Sequence, residues 1–321
     1  MVRNIKDYII ILLKGSAMGA ADVVPGVSGG TIAFISGIYE ELIESIKSVN
    51  WASIKELFSN GFKQFWKSIN GNFLASLFVG IVISIFSLAR LLHFLLDEYP
   101  ILIWSFFFGL IVASAIYVAR QIKNWDYKRI LAIVMGTIIA YFITEITPIP
   151  EVGSSPYWFV FISGMVAICA MILPGISGSF ILLLLGQYKF IISVVNDLKI
   201  SYLLTFGIGA AIGLISFSNV LSWLLKKYHD ITVAFLAGFM IGSLNKVWPW
   251  KHTLLSQTNQ FAEIIPVEQE NVLPNMFFEL TGKDPLTLYA VLMAVTGFLV
   301  IFLLETTFSR VKEDKEAIKG S

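Results

Sequence analysis

Ala21-Asp-Val-Val-Pro-Gly-Val-Ser-Gly-Gly-Thr-Ile32 is a stretch that no continuous helix accommodates, and it recurs as Ala170-Met-Ile-Leu-Pro-Gly-Ile-Ser-Gly-Ser-Phe-Ile181. Proline removes a backbone donor and clashes with the preceding turn, while glycine reaches conformations closed to other residues. The surrounding apolar regions, 8–46 and 157–195, each read as two short helices about a broken centre, a re-entrant hairpin. The match runs on from Gly37 and Tyr39 to Gly186 and Tyr188, giving eight identities in the nineteen positions from 21 to 39 at a shift of 149. Ordinary residue usage would supply roughly one.

The solvent for these hairpins is lipid. Of 321 residues, 56% are hydrophobic and 14% charged, with mean hydropathy +0.77, against roughly 25% charged in a soluble chain. Six segments are long enough to cross a bilayer core: 73–96, 101–119, 130–147, 202–225, 231–247 and 286–304. The fold class expected is an all-α polytopic membrane protein. At a shift of 129 the spans align as well, pairing Gly80 with Gly209, Tyr99 with Tyr228, Gly109 with Gly238 and Ser114 with Ser243. The two shifts differ because of 50–69, where Trp51, Ile54, Phe58, Phe62, Phe65, Trp66 and Ile69 recur at helical spacing among Lys55, Lys63 and Lys67. That segment reads as an amphipathic helix lying in the inner interface.

Two units follow, 1–150 and 151–321, each a hairpin plus three spans. An odd number of crossings turns the second unit upside down, which is an inverted-topology repeat. The parity is the same whether the hairpins return to their own side or cross. The short apolar stretch 8–13, interrupted by Lys14, is too brief for a signal peptide and reads as part of the mature chain.

Charge gives the orientation. Of 23 lysines and arginines, only Lys189, Lys199, Lys246, Lys251 and Lys283 fall on one side, Arg90 lies within a span, and the rest fall on the other. The richer side is cytoplasmic, and with it both termini. The outer loop 248–284 is polar, with Glu263, Glu268, Glu270, Glu279 and Asp284. A net charge of +1 removes any global electrostatic case for a nucleic-acid partner. The single Cys169 and the scattered His93, His229 and His252 leave no metal set, and no cofactor is expected.

A helix broken within a membrane leaves free N–H groups, for which an anion is the natural partner. Pro25, Gly26, Ser28, Gly29, Gly30 and Thr31 are candidates for binding it, and Pro174, Gly175, Ser177, Gly178 and Ser179 repeat the construction. The blander reading is that the glycines only permit a tight break, with the hydroxyls bonding backbone. Asp22 stands against the apolar Met171 in the other copy, so the hairpin shape does not require an acid. It is a candidate for proton coupling, for holding a basic partner or for capping the broken helix. Glu40 and Glu41 are further candidates for coupling or gating. Arg90 suits a phosphate but equally snorkels to water or pairs with Asp97 or Glu98.

With its continuation Gly37-Ile-Tyr-Glu40, the first motif resembles the bacterial polyprenyl-phosphate translocases of the PopT type, and Leu173-Pro-Gly-Ile-Ser-Gly-Ser-Phe180 does so again. The resemblance covers essentially the whole chain. It implies an inner-membrane protein of eight to ten segments that returns undecaprenyl phosphate, the lipid carrier of cell-wall synthesis, from the outer to the inner leaflet. The family motif falls on Asp22, Pro25, Gly26, Ser28, Gly29, Gly30, Thr31 and Glu40, and on Pro174, Gly175, Ser177 and Gly178. The expected partners are a polyprenyl phosphate lipid and the membrane; a homodimer is left open. One rival is a secondary transporter of a small soluble anion. The other is a polyprenyl-pyrophosphate phosphatase, whose loop carries an arginine where Gly29 and Gly178 stand, so the residue that would clamp transferring charge is missing.

Overall fold

Asn4 and Asp7 open the first helix reciprocally, each side chain accepting the other's backbone N–H at 3.0 Å. The computed structural model describes residues 3–22, 28–149, 154–258 and 264–320, with side chains described outside 89, 90, 93, 255–258, 264–268 and 304–320. In the first unit, α1 (Ile5–Asp22) is followed by α2 (Gly29–Ile35) and α3 (Tyr39–Lys47). After these come α4 (Trp51–Asn60), α5 (Phe62–Ser68), α6 (Gly71–Glu98), α7 (Pro100–Arg120) and α8 (Tyr127–Glu145). Then follow α9 (Tyr157–Ile172), α10 (Gly178–Leu184), α11 (Tyr188–Asn196), α12 (Ile200–Lys227) and α13 (His229–Ser243), the same succession as α1–α3, α6 and α7. The chain continues through β1 (Lys251–Thr258), β2 (Ile264–Asn271) and α14 (Pro274–Thr281) into α15 (Thr287–Gly320).

Each hairpin holds three helices where two were expected. The extra turn is made by Gly37 and Gly186, whose φ of +69° and +65° only glycine adopts without strain, and the bend between α10 and α11 is 112°. The amphipathic segment also differs from expectation. Gly61, at φ +81°, divides it into α4 and α5, while the Asn50 and Ser53 side chains form a capping box that starts α4. Trp51 and Phe58 are 80% and 83% exposed, an apolar face suited to an interface rather than to water.

Four of the six expected spans contain helices long and apolar enough to cross a membrane: Gly71–Leu88, Pro100–Arg120, Tyr127–Glu145 and Ile200–Lys227. The other two are present as the 15-residue α13 and the apolar stretch Thr287–Leu303 of α15. The chain is a multi-pass membrane protein. Phe78, Phe86, Phe142 and Trp158 stand exposed on its outside, where lipid is as apolar as they are. Burial therefore supplies little force between helices, and close packing must supply it.

That packing follows a pattern. α1 lies on α6 and α9 on α12, while α7 lies on α15 and α8 on α13. A side-chain carbon on Gly15 would collide with the Leu77 carbonyl, and one on Gly164 with the Phe206 carbonyl. Gly80 meets Leu12 as Gly209 meets Phe161, and Gly109 meets Ala294 as Gly238 meets Ile133. Each contact becomes its counterpart under the shifts that align the sequences, 149 for the first helices and 129 for the next two, with 161 relating α8 to α15. Helices this close gain dispersion and weak Cα–H···O contacts. The one-residue turns match too, Tyr99 at φ −130°, ψ 48° and Tyr228 at φ −133°, ψ 47°. α7 and α13 pack on each other, and most of α13 is buried.

The polar loop expected at 248–284 is structured where it is described. β1 and β2 pair antiparallel with Lys251 opposite Asn271, a local departure from the all-α class. Trp248 and Trp250 donate their indole N–H groups to the carbonyls of Val272 and Pro285, both at 2.8 Å. Trp250, Val272, Phe277 and Ala290 close a small apolar cluster there.

Candidate functional site

The two broken hairpins meet. Ser28 caps α2 by accepting the Gly30 N–H at 3.0 Å, and its hydroxyl donates to the Met171 carbonyl at 2.8 Å. Thr31 Oγ1 accepts the Gly175 N–H at 3.1 Å, and the Tyr39 hydroxyl donates to the Ile172 carbonyl at 3.2 Å. A side-chain carbon on Gly30 would fall on that Ile172 carbonyl, so glycine is required for the approach. Ser28 and Thr31 are fully buried and Ser177 nearly so. In the second copy Ser177 caps α10 by accepting the Phe180 N–H at 3.3 Å and shares a hydrogen bond with Ser179 at 3.1 Å. Gly175, at φ +97°, packs against Met240 and Ser243 of α13.

Asp22 joins this cluster. Its Oδ1 accepts the Gly29 N–H at 2.7 Å, and a side chain on Gly29 would strike the carboxylate. Of the readings open from sequence, capping is thus realised in the structure, and the acid occupies the start of α2. Pro174 is buried beside Gly175, and Gly178 begins α10. Pro25 and Gly26 lie outside the described residues. Arg90 lies in α6, and its side chain is likewise outside the description.

Glu40 and Glu41 stand apart from the tips. Glu41 receives a two-pronged pair from Arg3 at 2.7 and 2.6 Å and the Asn70 amide at 2.9 Å. Glu40 faces His229 Nε2 on α13 at 3.1 Å. Glu44, one turn on, pairs with Lys226 at 2.8 Å and accepts the Ser222 hydroxyl on α12, to which Lys47 also donates at 2.9 Å. Glu40 and Glu44 therefore tie α3 to α13 and α12, while Glu41 holds it to the N-terminal segment and Asn70.

Residues 18–265 match the VCA0040-like family model, described as undecaprenyl phosphate translocase-like. The chain belongs to this family. It is 47% identical over 305 residues to a polyprenyl-phosphate transporter of Vibrio cholerae serotype O1, covering 95% of this chain and 98% of the relative. A polyprenyl-phosphate transporter of Staphylococcus aureus is 35% identical over 256 residues, 75% of this chain and 86% of that one. No solved structure matches.

One feature of this member of the undecaprenyl phosphate translocase-like family was missed from sequence. From sequence, Lys246 and Lys251 only count among the five cations on the less basic side. In the fold, Lys246 Nζ lies 4.5 Å from the Phe180 ring centroid and Lys251 Nζ 5.2 Å from the Trp104 ring, and Lys251 donates to the Lys246 carbonyl at 2.5 Å. Burial, with repulsion from Lys246, takes Lys251 down to about 7. The available signal was Lys246-Val-Trp-Pro-Trp-Lys251, two cations interleaved with large rings.

Proposed function

We propose that the protein returns a polyprenyl phosphate, undecaprenyl phosphate in the bacterial cell-wall cycle, from the outer to the inner leaflet of the cytoplasmic membrane. The observation that carries this reading is the meeting of the two hairpin tips, through Ser28 with Met171 and Thr31 with Gly175, inside one chain. The names of the relatives agree with it. Paired glycine crossings support an inverted repeat, the architecture that lets a central site face either side in turn. The phosphate is held between the tips, and Asp22 competes with it for the Gly29 N–H. Taking up a proton removes the charge that competes with the phosphate and weakens the acid's hold on that donor, which couples the acid to the load. One chain supplies both tips, so no second copy is needed.

In this reading the inner ends are closed by Glu44 with Lys226 and Glu40 with His229, and the outer side receives the lipid. Both termini lie in the cytoplasm. Protein reconstituted in vesicles is expected to move a short-chain polyprenyl phosphate between leaflets and to release no inorganic phosphate from the pyrophosphate. Phosphate release would overturn the carrier reading in favour of an enzyme.

A further inference from the structure

Lys246 and Lys251 end the two sides of one turn beyond α13, with their ammonium groups drawn against aromatic rings from distant elements. Phe180 belongs to α10, three residues after its cap Ser177, and Trp104 belongs to α7. Among the described residues neither lysine forms an ion pair. Glu145, the carboxylate whose charge acts on Lys246, is engaged by the Asn245 amide at 2.6 Å. Lys251 Nζ lies on the main-chain carbonyl of Lys246 and both ammonium groups are drawn down against rings, so one turn holds two like charges with less water than either would have at a surface. Such a pair gains most from a ligand carrying two negative charges on compact oxygens.

We propose that Lys246 and Lys251 form an outer receiving site for the dianionic head group of a phosphate monoester, distinct from the hairpin tips. The proposal rests on the transport reading above and adds where the substrate is first held. Position supports it. Lys246 stands over Phe180, and the last turn of α13 before it touches Gly175, so a head group held here is next to the second tip. Leu244, Asn245 and Trp248 of the same turn, with Phe108 and Tyr141, line a cavity of about 460 Å³. Its largely apolar wall, which includes neither lysine, offers room for the isoprenyl chain on the other side of the turn. Ammonium groups recognise the phosphate as point charges and leave its orientation free, which suits a site that passes the group onward.

The test titrates full-length protein in nanodiscs with a short-chain isoprenyl phosphate, the matching isoprenyl alcohol and inorganic phosphate. Lys246→Gln or Lys251→Gln is expected to weaken isoprenyl phosphate roughly tenfold and the double variant roughly a hundredfold, with the alcohol unaffected. An unchanged affinity in a folded double variant overturns the site while leaving the transport reading standing. Lysine-dependent binding of inorganic phosphate, with none of the isoprenyl ester, keeps the anion site and overturns its lipid substrate. Should the variants fail to fold, wild-type protein still decides. Acylation of Lys251 by an amine reagent, mapped by peptide mass spectrometry, is expected to slow about tenfold with isoprenyl phosphate and not with the alcohol. Absence of protection overturns the proposal.

Discussion

Asp22 puts a carboxylate where an anionic ligand at the start of α2 would sit, which makes it testable by two substitutions with different consequences. Asp22→Asn keeps an acceptor oxygen for Gly29 and removes the charge; Asp22→Ala removes both. We expect Ala to lower stability by about 0.5–2 kcal/mol, the usual cost of losing a cap, and Asn to unfold near the wild-type temperature. Transport should fall in both. Wild-type transport with unchanged pH dependence in the Asn variant would leave Asp22 as a cap alone. At Lys251 the sign follows from its lowered pKa of about 7. A bound dianion favours the ammonium form, so binding takes up a proton above that pH, and affinity falls as pH rises toward the ordinary lysine value. The groups acting on this site are Lys246, the Trp104 ring and, through Lys246, Glu145. Titration of isoprenyl phosphate between about pH 7 and about pH 9 should show the fall, and Lys251→Arg should flatten it because guanidinium stays charged. The ligand's own second ionisation, near pH 6, is complete over most of that range.

Among the elements, α3 is latched to α12 and α13 through Glu44–Lys226, Lys47–Ser222 and Glu40–His229, contacts that the proposed orientation puts on the inner side. The positions of α11 that match Glu40, Glu41 and Glu44 are Lys189, Phe190 and Ser193, so its sequence cannot build the same acidic latch. Glu44→Gln should favour the inward-open state. The pair is partly exposed, so the gain is modest, roughly two- to fivefold in population. Labelling of a cysteine placed at the inner end of α3, in a Cys169→Ala background, should speed up by that factor; an unchanged rate would mean that α3 is not a gate. The hairpin breaks were legible because Pro-Gly and Ser-Gly act locally, and the spans because hydropathy does. The pairings of α7 with α15 and α8 with α13 were not, since periodicity shows that a helix has a buried face and not what covers it. The lysine site stayed hidden for the same reason: its rings come from α7 and α10. In the 248–284 loop, β1 and β2 were not legible because their residues are mostly polar and their pairing is irregular.

Over the whole molecule, the distribution of basic residues predicts a fixed orientation. With Cys169 replaced, a cysteine at Trp125 should react with an impermeant reagent only after the inner face is opened, and one at Leu254 should react from outside in intact cells. The reverse pattern would turn the molecule over and send its cargo the other way. The crossed packing of α7 on α15 and of α8 on α13 has a consequence for how such a chain is assembled. Neither unit contains the packing partner of its own second or third long helix, so a half-length chain would present both to lipid without the neighbours their glycines are shaped for. Two halves complete each other only by exchanging helices, as in a domain-swapped dimer. Joined in one chain, residues 1–150 and 151–321 each find those missing neighbours in the other.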